Sequence, residues 1–155
     1  FNSINKQVDK EIKSAFEIEN YVTELKIIDS ELKSELSSDF WNNNFYEIKN
    51  EQELVGYAYI GEGFGKTDNF EYLLLFDVNL IIVKSKVLKY REDYGGEIGS
   101  KRWLKQFIGK SSKDKLLYGE NIAAISGATL SVKSMTNSVN KVLESIAILQ
   151  NKNIL

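Results

Sequence analysis

The chain has 155 residues, 43% of them hydrophobic, with a formal charge of −2 at pH 7. This make-up and length point to one globular domain and give no electrostatic footprint for nucleic acid. With no cysteine, no histidine and no proline, the chain is excluded from disulfides, iron–sulfur clusters, thiolate zinc sites, thiol catalysis and Ser-His-Asp triads; carboxylates, hydroxyls, lysines, backbone amides or a borrowed cofactor must carry any chemistry.

Ile4, Val8, Ile12 and Phe16 recur at helical spacing behind a capping Asn2 or Ser3, which predicts an amphipathic helix ending near Phe16. Over residues 21–37, Val22, Leu25, Ile28, Leu32 and Leu36 fit a helix, whereas the Ile27-Ile28 pair fits a strand; both readings stay open. Residues 37–44 read as a loop. The middle is strand-rich: 45–49, 54–60, 71–76 and 80–90, with a glycine-bearing turn at 61–68 and a short turn at 77–79. Short turns between neighbouring strands favour antiparallel pairing.

Residues 93–99 hold three glycines and read as a loop; Ser100 caps a short helix whose apolar face is Trp103, Leu104 and Phe107. Residues 111–114 form a polar loop. From Leu130 to Gln150, the positions Val132, Met135, Val139, Val142, Ile146 and Leu149 step by three and four, which predicts a long helix with a core-facing stripe. The fold class expected is α+β: a twisted, mostly antiparallel sheet with N-terminal helices and a long C-terminal helix. Residues 1–50 are read as a helical extension and 54–150 as the core of a single domain. The longest apolar runs, Tyr72 to Phe76 and Leu80 to Val83, fall far short of the roughly 20 residues that span a bilayer.

Charge is segregated along the chain. Residues 1–80 carry 7 Lys/Arg against 16 Asp/Glu, a net of −9, whereas residues 84–115 carry 10 against four, a net of +6. The basic segment reads either as a solvated face or as a surface attracting an anionic ligand or partner.

Two glycine-bearing motifs invite a phosphate-binding reading. In Gly61-Glu62-Gly63-Phe64-Gly65-Lys66-Thr67 the first glycine sits one position too close to Gly-Lys-Thr for a Walker loop, and a strand follows where that loop needs a helix. Ser126-Gly127-Ala128-Thr129-Leu130-Ser131 directly precedes the long helix, whose first amides lack internal acceptors and suit an anion. The plain structural role of the same residues is a turn at Gly127 and a helix cap at Thr129.

Ser126-Gly127-Ala128-Thr129-Leu130-Ser131 resembles the flavin-attachment motif of the FMN-binding domain family. That family includes soluble domains of the sodium-pumping NADH:quinone reductase and of the related Rnf complex, as well as standalone extracytoplasmic flavoproteins. A second stretch, Tyr90-Arg91-Glu92-Asp93-Tyr94-Gly95-Gly96-Glu97-Ile98-Gly99 followed by Lys101-Arg102-Trp103-Leu104-Lys105-Gln106-Phe107, is similar to that family's glycine-rich loop and following helix. The resemblance implies FMN joined by a phosphoester to Thr129 by a separate flavin transferase that uses FAD as donor. It implies that Tyr94, Gly95, Gly96, Glu97, Ile98 and Gly99 lie against the flavin, with Tyr94 or Trp103 packing on the ring. No catalytic acid or base and no resident metal is expected; the role implied is an electron carrier rather than a stand-alone enzyme. Its expected place is outside the cytoplasm beside a membrane redox partner, with any export signal or anchor in a segment beyond this sequence. The chain departs from the family pattern at Ala123, three residues before Ser126, where an aspartate read by the transferase is usual; this counts against covalent attachment. The alternative is a flavin-free interaction module that keeps the family fold.

Overall fold

A computed structural model describes residues 2–92 and 95–155. The chain is α+β, and among the described residues there are eight regular elements in the order α1 (Asn2–Phe16), β1 (Val22–Leu25), β2 (Phe45–Asn50), β3 (Glu53–Phe64), β4 (Asn69–Asp77), β5 (Ile82–Lys89), α2 (Lys101–Leu104) and α3 (Thr129–Asn151). The five strands form one sheet in sequence order, and every pair is antiparallel.

Both faces of the sheet are covered, which explains why β4 reads as a continuous apolar run. Alternate β4 side chains part to opposite sides. Tyr72, Leu74 and Phe76 join the larger core with α3, whereas Leu73 and Leu75 pack with Ile12 of α1. The stripe expected on α3 is buried throughout: Val132, Met135, Val139, Val142, Ile146 and Leu149 are at most 1% exposed.

The N-terminal third contributes more to the sheet than expected. Among the described residues there, only α1 is an α-helix. Residues 22–50 supply β1 and β2, together with Ile28, Leu36, Phe40 and Phe45 for the main core. In the ambiguous stretch 21–37 the structure has a short strand and then a 3-10 turn at Ser30–Leu32. That turn is held by the Asp29 carboxylate, which accepts from the Glu31 amide at 3.0 Å.

The turn expected at 61–68 is shorter. β3 continues through Gly61 and Gly63 to Phe64, and the reversal is closed by Gly65 N donating to Asp68 O at 2.8 Å. The reason is cross-strand packing. Gly61 pairs with Tyr72 and Gly63 with Phe70, and a Cβ at either glycine would come within 2.4 Å of its partner's ring. These glycines make room for aromatic rings inside a strand.

Candidate functional site

The segment before α3 is pinned from two directions. Asn140 of α3 exchanges bonds with the backbone of Leu116, accepting its N–H at 2.9 Å and donating to its carbonyl at 2.8 Å. Farther along, both backbone groups of Ala123 are held by the α2 region. The Trp103 indole N–H donates to the Ala123 carbonyl at 2.8 Å, and Gln106 Oε1 accepts the Ala123 N–H at 2.7 Å. The Ala123 side chain stays exposed.

The chain then turns at Ser126 and Gly127 with Ala128 N donating to Ile125 O at 3.1 Å, and Gly127 adopts φ +82°. Helix α3 begins at Thr129, and the cap position is Ala128, which supplies no side-chain hydrogen bond. Thr129 is therefore not the cap that the sequence suggested. Its hydroxyl lies in the first turn, exposed. The first intrahelical bond is Val132 N to Ala128 O at 3.0 Å, and among the described residues the N–H groups of Thr129, Leu130 and Ser131 have no partner. An uncapped helix start of this kind presents three aligned donors and the positive end of the helix dipole.

A cavity of about 410 Å³ opens on this terminus, lined by residues 127–131 together with Lys66, Tyr90 and Glu92. Lys66 comes from the β3–β4 turn. That turn is tied down by Glu92, which accepts from Thr67 N at 2.6 Å, Thr67 Oγ1 at 2.7 Å and Asp68 N at 3.2 Å. The Thr67 amide and hydroxyl hold the Glu92 carboxyl below the usual carboxylate range, so it stays ionised and bound to the turn. Arg91, beside it, forms a bidentate pair with Glu71 at 2.7 and 3.1 Å. Tyr90 meets Ser131 of α3, hydroxyl to hydroxyl at 3.1 Å.

The glycine-rich loop reaches the same place. Gly95 has φ +81°, and a Cβ there would lie 2.2 Å from the Ala128 Cβ, so the loop touches the residue that caps α3. The structure thus brings Gly95 against the Ser126–Ser131 motif. Gly96, Glu97, Ile98 and Gly99 form a 3-10 turn beyond it, with Gly96, Glu97 and Gly99 exposed and Ile98 fully buried in the core. Tyr94 lies outside the described residues. Trp103 is only 5% exposed, packed edge-on against Phe107 at 5.3 Å; its role in this structure is to hold Ala123 rather than to offer an open ring face.

Sequence reasoning placed Lys66 in a hairpin turn and gave Glu92 no site role. The signal for both was long-range: only the pairing of β3 with β4 carries Lys66 to the start of α3. A larger cavity, about 650 Å³, lies farther along α3 between Ser134, Ser138 and Lys141 and the loop bearing Asp39, and among the described residues its lining includes no helix terminus.

A glycine, uncapped amides, a hydroxyl, a lysine and the Glu92 carboxylate surround one cavity, a combination of the kind found in small-ligand sites. The volume falls in the usual range of such sites, roughly 300–1,000 Å³. The comparison with known families agrees. The FMN-binding domain family matches residues 65–144, just over half of the chain. The chain belongs to the FMN-binding domain family, and a general flavin-binding role follows. No curated protein matches the chain.

Proposed function

We propose that the chain is an electron-carrier domain that holds FMN through a phosphoester to Thr129 Oγ1. The observation that carries this reading is the exposed Thr129 hydroxyl beside three unpartnered amides at the mouth of the cavity. The donor set fits the group. The amides of Thr129, Leu130 and Ser131 would bind phosphate oxygens along the helix dipole, and Lys66 would add a cation from the opposite wall. Leu130, 55% exposed, and the Gly95 segment give apolar and close-approach surface for a planar body. Bound FMN would supply one- or two-electron redox chemistry, while the protein supplies binding and orientation.

Family resemblance supports the remainder of the proposal. A flavin transferase would load FMN from FAD, and the loaded domain would work outside the cytoplasm beside a membrane redox partner. Among the described residues no helix is long and apolar enough to cross a membrane. Ala123, where the family usually carries aspartate, favours a second reading in which the domain binds FMN reversibly or serves as a flavin-free interaction module.

The test is co-expression with a flavin transferase, then denaturation and a search for flavin fluorescence on the polypeptide band. The expected result is labelling that Thr129→Val abolishes and Ala123→Asp increases. Flavin retained on the Thr129→Val chain would overturn the attachment site. Absence of label on both the parent and Ala123→Asp chains, with no FMN taken up in titration, would favour the flavin-free module.

A further inference from the structure

Four cations of the basic segment 84–115, Lys84, Lys101, Arg102 and Lys105, gather around one cleft. The fully described run Lys101–Phe107 is helical, α2 passing into a 3-10 turn, with Trp103, Leu104 and Phe107 buried on its inner side. Lys101, Arg102 and Lys105 stand exposed on its outer side. Together with Lys84 of β5 they surround a cleft of about 380 Å³ whose floor and rim include Leu104 and Ile108. Ile108 is 48% exposed.

Lys84 has an acidic partner, the buried Glu11 at 3.5 Å. Lys101, Arg102 and Lys105 have none among the described residues. Lysines on β5 have a structural reason to exist, because charge on an edge strand blocks edge-to-edge pairing. That reason does not extend to three cations on a helix packed beside the strand, where like charges repel one another. Residues 84–115 carry +6, and the rest of the chain, with 10 basic and 18 acidic residues, carries −8. The cationic cleft is therefore a local reversal on an acidic molecule.

We infer that this cleft is a docking surface for an acidic segment of a partner protein, one that inserts an apolar side chain between carboxylates. Three observations select that occupant. The one hydroxyl in the cleft, Ser85, donates to the Leu104 carbonyl at 2.7 Å, so a small phosphate would meet exposed surface cations and no buried donor. The cleft is concave, and a flat anionic bilayer would leave it unfilled while the acidic remainder of the chain opposed approach. Its apolar floor between cationic arms suits a leucine-like side chain flanked by Asp or Glu. The helix that bears the cations also carries Trp103 and Gln106, so a partner seated here stands next to the loop that leads to Thr129.

The experiment uses fluorescence anisotropy with a fluorescein-labelled peptide of Glu and Leu, and a second peptide with Ser in place of Leu. The expected result is salt-sensitive binding of the Glu/Leu peptide, about tenfold weaker for the Glu/Ser peptide. Lys101→Glu combined with Lys105→Glu should weaken binding by about tenfold or more, and Ile108→Ser should weaken it with the charge unchanged. Lys113→Glu combined with Lys115→Glu, on an exposed loop outside the cleft, should change it by less than about twofold. Equal losses from both charge-reversal pairs would overturn the proposal in favour of simple net charge. Displacement of the peptide by inorganic phosphate at unchanged ionic strength would overturn it in favour of a small-anion site. Uptake by phosphatidylglycerol vesicles without peptide binding would overturn it in favour of a membrane surface. Circular dichroism confirms that each variant is folded. The assay runs on flavin-free protein, so its outcome is separate from that of the flavin-loading test.

Discussion

Two glycines near the start of α3 share a left-handed backbone but differ in what surrounds them. Among the described residues nothing lies within 4 Å of where a Cβ would stand at Gly127, φ +82°, whereas at Gly95, φ +81°, the Ala128 Cβ is 2.2 Å away. A side chain at Gly127 meets only backbone strain, about 1–2 kcal/mol. At Gly95 the same strain is joined by overlap with a buried neighbour, for a total of about 3 kcal/mol. Urea melts should therefore rank Gly95→Ala below Gly127→Ala, and Gly127→Asn should recover much of its loss, since asparagine tolerates that conformation. Equal destabilisation by the two alanines would mean that the loop does not rest on Ala128. The distinction matters for the site, because Gly95 sets the approach of the loop to the helix cap and Gly127 only turns the chain toward it.

At the scale of elements, the helical run Lys101–Phe107, α2 with its following 3-10 turn, acts as a clamp. It holds the N–H and C=O of Ala123 through Gln106 and Trp103, five residues before the turn into α3 is complete. Trp103→Phe keeps a ring in the core and removes the donor to a carbonyl. The expected cost is about 1–3 kcal/mol, with faster amide exchange confined to residues 122–125. Ala123→Asp should change stability by less than about 0.5 kcal/mol, because the clamp uses only backbone and the side chain is exposed. Exchange unchanged in Trp103→Phe, or marked destabilisation by Ala123→Asp, would contradict the clamp. Elements with a strong period were legible from the sequence. The stripe of α3 follows a 3.6-residue repeat that packing preserves, and the 126–131 turn announces the helix after it. β1 was not legible, because its four residues are all exposed and leave no alternation to read. Gly61 and Gly63 resembled a turn because the rings that occupy their missing side chains lie on another strand. For Trp103 the sequence offered both a place on the apolar face of the short helix and a ring beside a glycine-rich loop, and tertiary packing decides for the first. The meeting of Lys66 with the motif depends on hairpin register, which no local pattern encodes.

For the whole molecule, the family match and the folding unit are different objects. The match begins at residue 65, in the β3–β4 turn, and so takes in β4 and β5 but not β3. β3 pairs with β4 over nine residues, from Gly56 opposite Asp77 to Phe64 opposite Asn69. Without it, β4 becomes an edge strand of a two-stranded ribbon, and such a ribbon is marginal in water. The loss extends to both faces. Phe45, Tyr57 and Tyr59 leave the α3 side, while Ile12, Ile48 and Ala58 leave the α1 side, uncovering Leu73, Leu75 and Leu88. A fragment of residues 65–155 contains both stretches that resemble the family, 90–107 and 126–131, yet it should show no cooperative thermal transition and should bind a hydrophobic dye such as ANS. The intact chain should melt in one transition. A fragment with a native-like near-ultraviolet spectrum and a sharp melt would mean that the matched half folds without the first three strands. The expected failure follows from the continuous apolar run of β4, which can be buried on both sides only when the sheet and α1 are complete.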